Sequence, residues 1–150
     1  MQKRLNIKEV APNALKAMIG LETYLSKASI SKTTKELIKI RASQVNGCAY
    51  CINIHTQDAI KNGETNQRIF LLGAWRETEG VFTEEEKVVL AITEEMTLIH
   101  QNGLSDETYS NALKFFSETQ IADIITSVIT INIWNRVVLS THLMIGQSLA

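Results

Sequence analysis

Hydrophobic residues along this chain recur three and four positions apart over long stretches and almost nowhere alternate one for one. That spacing marks amphipathic helices rather than strands. Taken with its punctuation, the pattern predicts helices over 12–27, 31–45, 48–62, 65–76, 83–101, 105–115 and 118–146. Pro12, the only proline, stands near the start of the first run, where a helix tolerates a residue without an N–H. Thr83 with Glu86, and Ser117 with Gln120, read as capping boxes, and Glu84 to Glu86 place negative charge where the helix dipole favours it. Asn62-Gly63 and Asn102-Gly103 fall just past periodic segments, where a left-handed residue closes a helix. With no Gly/Ser-rich linker and no repeat, the expectation is an all-α fold, one domain over 1–150.

The last predicted helix changes the picture. It is apolar around most of its circumference, more than a monomer of this size needs on one helix, so burial against another subunit is expected and with it a homo-oligomer. Its most apolar part, 121–139, is interrupted by Asp123, Thr126, Ser127, Asn132, Asn135 and Arg136, which favours a buried or interface helix over a membrane span. Charge adds one exclusion. With 15 basic and 16 acidic residues the net charge is −1, and no Lys/Arg block interleaves with aromatics, so no nucleic-acid partner is expected. No apolar run follows the basic residues at the N-terminus, which points to the cytosol rather than export. There thiols stay reduced, and a Cys-x-x-Cys is more often redox-active, catalytic or metal-binding than a structural staple.

The chemistry concentrates in "NGCAYCINIH", residues 46–55. Wound as a helix, Cys48, Cys51, Ile52, His55 and Ala59 share one inward stripe, and His55 lies one turn beyond Cys51. Free cysteine is mostly protonated at neutral pH, its pKa being about 8.5. A helix N-terminus would stabilise a thiolate on Cys48, and a neighbouring imidazole would take a proton from Cys51. Two intervening residues let the sulfurs bridge within one turn. By spacing alone, three readings stay open: a redox pair, two legs of a metal site, or packing that happens to contain sulfur. A zinc site wants a fourth ligand. The other histidines, His100 and His142, come with no second Cys-x-x-Cys and no His-x-x-x-His, so neither metal nor cofactor is expected. Glu36 shares a face with Ile40 and Ser43. Periodicity alone reads it as a solvated helix glutamate. A short connection at Asn46-Gly47 would nevertheless fold helix 31–45 back on helix 48–62 and carry Glu36 toward the His55 end.

The stretch "ELIKIRASQVNGCAYCINIHTQDAIKNGE", 36–64, closely resembles the core of the alkylhydroperoxidase D-like (AhpD-like) family, within the carboxymuconolactone decarboxylase superfamily. The family pattern is a Glu on one helix, a Ser-x-x-Asn leading into Cys-x-x-Cys, and a His four residues past the second Cys. Glu36, Ser43, Asn46, Cys48, Cys51 and His55 all match it. "FTEEEKVVLAITEEMT" (82–97) and "INIWNRVVLS" (131–140) look like the family's later helices, so nearly the whole chain is covered. The resemblance implies an all-α oligomer, a trimer or hexamer, with a thiol peroxidase-type site. It implies Cys51 as the thiol oxidised by a hydroperoxide, Cys48 as the resolving thiol, and His55 with Glu36 as the proton relay. A thiol reductant would return the electrons. The superfamily's decarboxylases lack the cysteine pair, which makes that activity a poor match.

One position departs from the pattern. Where the best-characterised peroxidase members carry a histidine just before the second cysteine, this chain has Tyr50, which is neutral at working pH and no ready base, though still able to donate a hydrogen bond to a sulfur. The competing expectation is a non-enzymatic helical module or redox sensor whose Cys-x-x-Cys switches between dithiol and disulfide. Trp75 and Trp134 read as core or interface anchors. Arg136 reads as a buried ion-pair or interface group in need of a partner, and His100 as a helix-end residue.

Overall fold

The structure, a computed structural model, describes residues 4–148. Met1 to Lys3, the start of the segment read above for an export signal, lie outside the described residues. The described residues form helices and connecting turns, with no strand among them. In chain order the helices are α1 (Ile7–Val10), α2 (Pro12–Leu25), α3 (Lys32–Asn46), α4 (Ala49–Lys61), α5 (Asn66–Leu71), α6 (Glu84–Thr97), α7 (Asp106–Ala112) and α8 (Glu118–Thr141).

Helix α3 is the axis of the bundle, packed against α4, α6 and α8. Its sequence explains why. Leu37, Ile38, Ile40 and Ala42 fall on two sides of the helix rather than one, and all are buried. Ile38 and Ala42 pack with Val89 and Ile92 of α6 and with Ile124, Val128 and Ile131 of α8. Leu37 and Ile40 join Ala59, Leu72, Trp75, Phe82 and Leu90 on the other side. One helix thus feeds two apolar clusters.

The caps form where the sequence placed them. Thr83 with Glu86 and Ser117 with Gln120 make complete capping boxes, Pro12 opens α2, and Gly63, Asn102 and Gly103 are left-handed. Ser31, Thr65 and Ser105 add N-caps of the same kind to α3, α5 and α7. The short α1 was not in the predicted pattern; Asn6 caps it and Pro12 follows it closely.

Four predicted helices are shorter than expected by a full turn or more. The segment 65–76 is α5 followed by a tighter 3-10 stretch, Leu72–Glu77, with a non-helical Ala74. That kink turns Trp75 inward, where its Nε1 donates to Glu94 Oε1 at 2.8 Å. The same carboxylate accepts from Arg41 Nε at 2.6 Å and is paired with Arg76. Burial pushes the Glu94 carboxyl up, but these donors more than offset it and hold it below the usual range. The segment 83–101 ends as a helix at Thr97 and continues as a 3-10 turn, Ile99–Gln101. The segment 105–115 stops at Ala112, whose carbonyl accepts from Phe115 and Phe116 as Phe116 folds inward.

Helix α8 closes at Thr141, because His142 turns left-handed at φ 55° and Leu143 N–H reaches back to Val138 O at 3.1 Å. Leu143 then packs on the core, the usual companion of such a turn. By length and composition α8 would cross a membrane, yet 56% of its most apolar window is buried within the protein, as in a core helix. Its other face is open: Ile129 is 45% exposed, and Ile125, Ile133 and Arg136 share that stripe.

The two-sided burial of α3 sets the stability expectation. Ile38→Ala removes a wholly buried side chain from the junction of α3, α6 and α8, and should cost about 2–5 kcal/mol in urea unfolding. A cost below about 1 kcal/mol would mean that the junction collapses readily around the gap.

Candidate active site

The site begins with a turn. At the end of α3, Gly47 adopts φ 69°, a left-handed conformation that a side chain would strain. Gly47 N–H bonds to Gln44 O at 3.2 Å and Cys48 N–H to Ser43 O at 2.9 Å, the paired bonds of a Schellman turn. Two residues reverse the chain, so α4 starts at Ala49 with Cys48 as its N-cap and Cys51 in its first turn. The two cysteines are joined as a disulfide, with Cα atoms 5.4 Å apart. Both are sequestered, Cys48 at 0% and Cys51 at 3% exposure, beside Tyr50 in the apolar cluster shared with α6 and α8.

One turn along α4, His55 meets Glu36 of α3, its Nδ1 3.0 Å from Glu36 Oε2. The other carboxylate oxygen accepts from Lys39 Nζ at 3.2 Å. Glu36 is 8% exposed, so the solvated glutamate read from periodicity is corrected: the α3–α4 reversal folds it under α4. Burial pushes its carboxyl up, while the hydrogen bond to His55 and the charge of Lys39 pull harder and leave it below the usual glutamate range. An ionised carboxylate only accepts hydrogen bonds, so Nδ1 is the donor in this contact and Nε2 is the ring nitrogen turned away from Glu36. Lys39 was not singled out in the sequence, although its i+3 spacing from Glu36 was the available signal.

Ser43 and Asn46, matched above only as part of a pattern, join a buried polar network. Asn46 Nδ2 donates to Asn132 Oδ1 at 3.0 Å and to Asn135 Oδ1 at 2.8 Å, and Asn135 Nδ2 donates to Ser43 Oγ at 3.0 Å. The asparagines of α8 were legible as polar interruptions, but not as partners of α3. For Arg136 the buried ion-pair reading is corrected: the side chain is exposed. Its Nη1 donates to Asn132 O and Oδ1, and no acidic partner is found among the described residues. With Met96, Val128, Ile129 and Ile133 it lines a groove of about 220 Å³.

Tyr50 is also corrected. Its hydroxyl donates to Gln147 O at 3.2 Å rather than to a sulfur. Trp75 is a core anchor, Trp134 is half-buried with its N–H on Glu22, and His100 is exposed in the 3-10 turn after α6. The described residues hold no group of three or more His, Cys, Asp and Glu side chains arranged for a metal ion.

An all-helical bundle with a cysteine pair at one helix N-terminus and a Glu–His pair one turn further along, its glutamate buried, defines a class. The chain belongs to the carboxymuconolactone decarboxylase family, whose model matches residues 12–95, and it is an AhpD-like member of that superfamily. It is 44% identical over 137 residues, 91% of this chain and 92% of the relative, to an uncharacterised protein, YdfG, of Bacillus subtilis strain 168. Among solved structures it resembles a protein of unknown function from Agrobacterium tumefaciens, described as a candidate antioxidant defence protein AhpD. That match has a TM-score of 0.91 at 31% identity and covers 98% of this chain and 100% of the other. It also resembles a debrominase, with a TM-score of 0.79 at 19% identity over 92% of this chain and 73% of that one, a likeness of fold alone. The family and its fold thus include enzymes.

The lowered Glu36 carboxyl gives a signed expectation. Its stabilisation is fully present above the unfolded-state pKa and is lost as pH falls through the lower folded-state value. Glu36→Gln should therefore be less stable than the parent at neutral pH, with the gap in urea midpoint closing below about pH 4. A gap that stays constant from pH 7 to pH 3 would show that the carboxylate is not held by charge.

Proposed function

We propose that the protein is a thiol-dependent peroxidase that reduces hydroperoxides with the Cys48–Cys51 pair. The observation carrying this reading is the Glu36–His55 hydrogen bond one turn beyond a cysteine pair that is close enough to be bonded. In the reduced protein, His55 Nε2 takes the proton of the Cys51 thiol, while Glu36 fixes the ring and offsets the imidazolium charge. The i+4 spacing to His55 favours Cys51 over Cys48 for this step. The Cys51 thiolate attacks the terminal oxygen of the hydroperoxide. The O–O bond breaks, the alkoxide leaves and takes the proton from His55, and Cys51 becomes a sulfenic acid. The Cys48 thiolate then attacks the Cys51 sulfur, hydroxide leaves and is protonated to water, and the disulfide forms. A dithiol reductant returns two electrons and two protons to close the cycle.

A second reading rests on burial. Both sulfurs are nearly inaccessible in the bonded state, which suits a slow dithiol–disulfide switch in a helical binding or sensor protein. The open isoleucine stripe of α8 supports a second copy of the chain as the partner covering that face in either case.

Treating reduced protein with one equivalent of an alkyl hydroperoxide should consume both thiols. Cys51→Ser should abolish turnover, and Cys48→Ser should leave a sulfenic acid that dimedone traps. His55→Ala should slow oxidation by about a hundredfold or more, the usual contribution of a positioned acid–base group. Thiols still titratable after prolonged excess peroxide would eliminate the peroxidase. Oxidation without steady-state turnover on a dithiol reductant would select the switch.

A further inference from the structure

The asparagine network beneath the cysteine turn has a fixed direction. Arg136 only donates and the Val128 carbonyl only accepts. Their bonds to Asn132 Oδ1 (2.6 Å) and Asn132 Nδ2 (2.9 Å) therefore leave its oxygen facing Asn46. Thr97 Oγ1 takes the second Asn132 N–H at 3.0 Å. Asn46 in turn must present its NH2, and both hydrogens are used, one on Asn132 and one on Asn135. Asn135 is completely buried, and its own NH2 holds the Ser43 hydroxyl. Ser43 and Asn46, on either side of the last turn of α3, are thus both tied to α8. Between them lies the carbonyl of Ser43 that receives Cys48 N–H.

The start of α4 differs from its neighbours. Helices α3, α5, α6, α7 and α8 each have a Ser or Thr N-cap whose hydroxyl accepts a first-turn N–H. The N-cap of α4 is Cys48, which makes no side-chain cap bond while its sulfur is held in the disulfide. Reduction frees that sulfur at the position where an oxygen would cap. There a thiolate is a better acceptor than a thiol.

We infer that Asn46, gripped by Asn132 and Asn135, is a positioning residue that holds the α3–α4 turn so that the reduced Cys48 sulfur caps α4 as a thiolate. The clamp thereby prepares the resolving thiol, although the side-chain hydrogen bonds of Ser43 and Asn46 run to α8. The inference rests on the proposed reading only in treating Cys48 as a working thiol.

The test reads Cys48 ionisation without peroxide. In a Cys51→Ser background, the pH dependence of iodoacetamide alkylation reports the thiolate fraction of Cys48. Asn46→Leu keeps the shape and removes the donors without adding charge, and should lower alkylation near neutral pH by about three- to tenfold, the scale of a helix-terminus effect. Asn135→Leu should act in the same direction, and the double variant should fall well short of the product of the two, because both break one clamp. The ionisable groups on the surrounding elements, Glu36, Lys39, Tyr50, His55, Arg136 and His142, are the same in every variant. Should Asn46→Leu fail to fold, Asn46→Ala carries the same expectation at this helix end. An unchanged pH profile in a folded variant, or independent effects that multiply, would overturn the inference. A shifted profile in a protein with no peroxide turnover would sustain it while removing the peroxidase.

Discussion

The left-handed turn at Gly47 is the constraint on which the site depends. It ends α3, starts α4 and sets the two helices side by side with no slack between them. Three consequences follow from that reversal: Cys48 becomes the N-cap of a helix, Cys51 lies within bonding reach of it, and His55 is brought back over Glu36. A longer connection would leave each of these to chance. The turn is itself held from behind, by α8 through Asn132 and Asn135, so the most apolar helix supplies the polar groups that fix the chemical one.

Two buried glutamates organise the bundle in different ways. Glu94 is surrounded by Arg41, Trp75 and Arg76, groups from α3 and from the 3-10 stretch after α5, and it acts as a structural rivet to α6. Its donors include two arginines, which do not release protons at ordinary pH. Glu36 has a lysine and an imidazole instead. Burial and a lowered carboxyl are common to both sites. What separates them is the partner set: Glu94 is held by two arginines and an indole, Glu36 by a lysine and an imidazole one turn from the cysteines.

Much of this was legible in the chain. The 3.6-residue period and the Thr83, Ser117 and Asn-Gly signals define most of the helices, because those are local rules about orphaned N–H and C=O groups. Cys48, Cys51 and His55 were placed on one face by arithmetic alone. What escaped was long-range. The kink at Ala74 serves a tryptophan that reaches a carboxylate on another helix, and no local pattern announces that. Helix α8 ends at a histidine in a conformation usually left to glycine, stabilised by Leu143 docking on the core. Glu36 looked like a surface residue because its own helix is polar on average, and only the return of α4 covers it. The asparagines of α8 were visible as interruptions, but their partners lie some ninety positions away in the chain.

The ammonium of Lys39 has a bearing on how such a relay would run through repeated cycles. Because Glu36 shares its two oxygens between an ammonium and an imidazole, the carboxylate has a second donor besides the ring. A couple built from Glu and His alone would swing between a neutralised state and a stranded buried anion, with the protein strained at one end of every turnover. With the ammonium in place, a proton passing through the imidazole in the proposed cycle would do so against a nearly constant background, and the scaffold around it would have no reason to move.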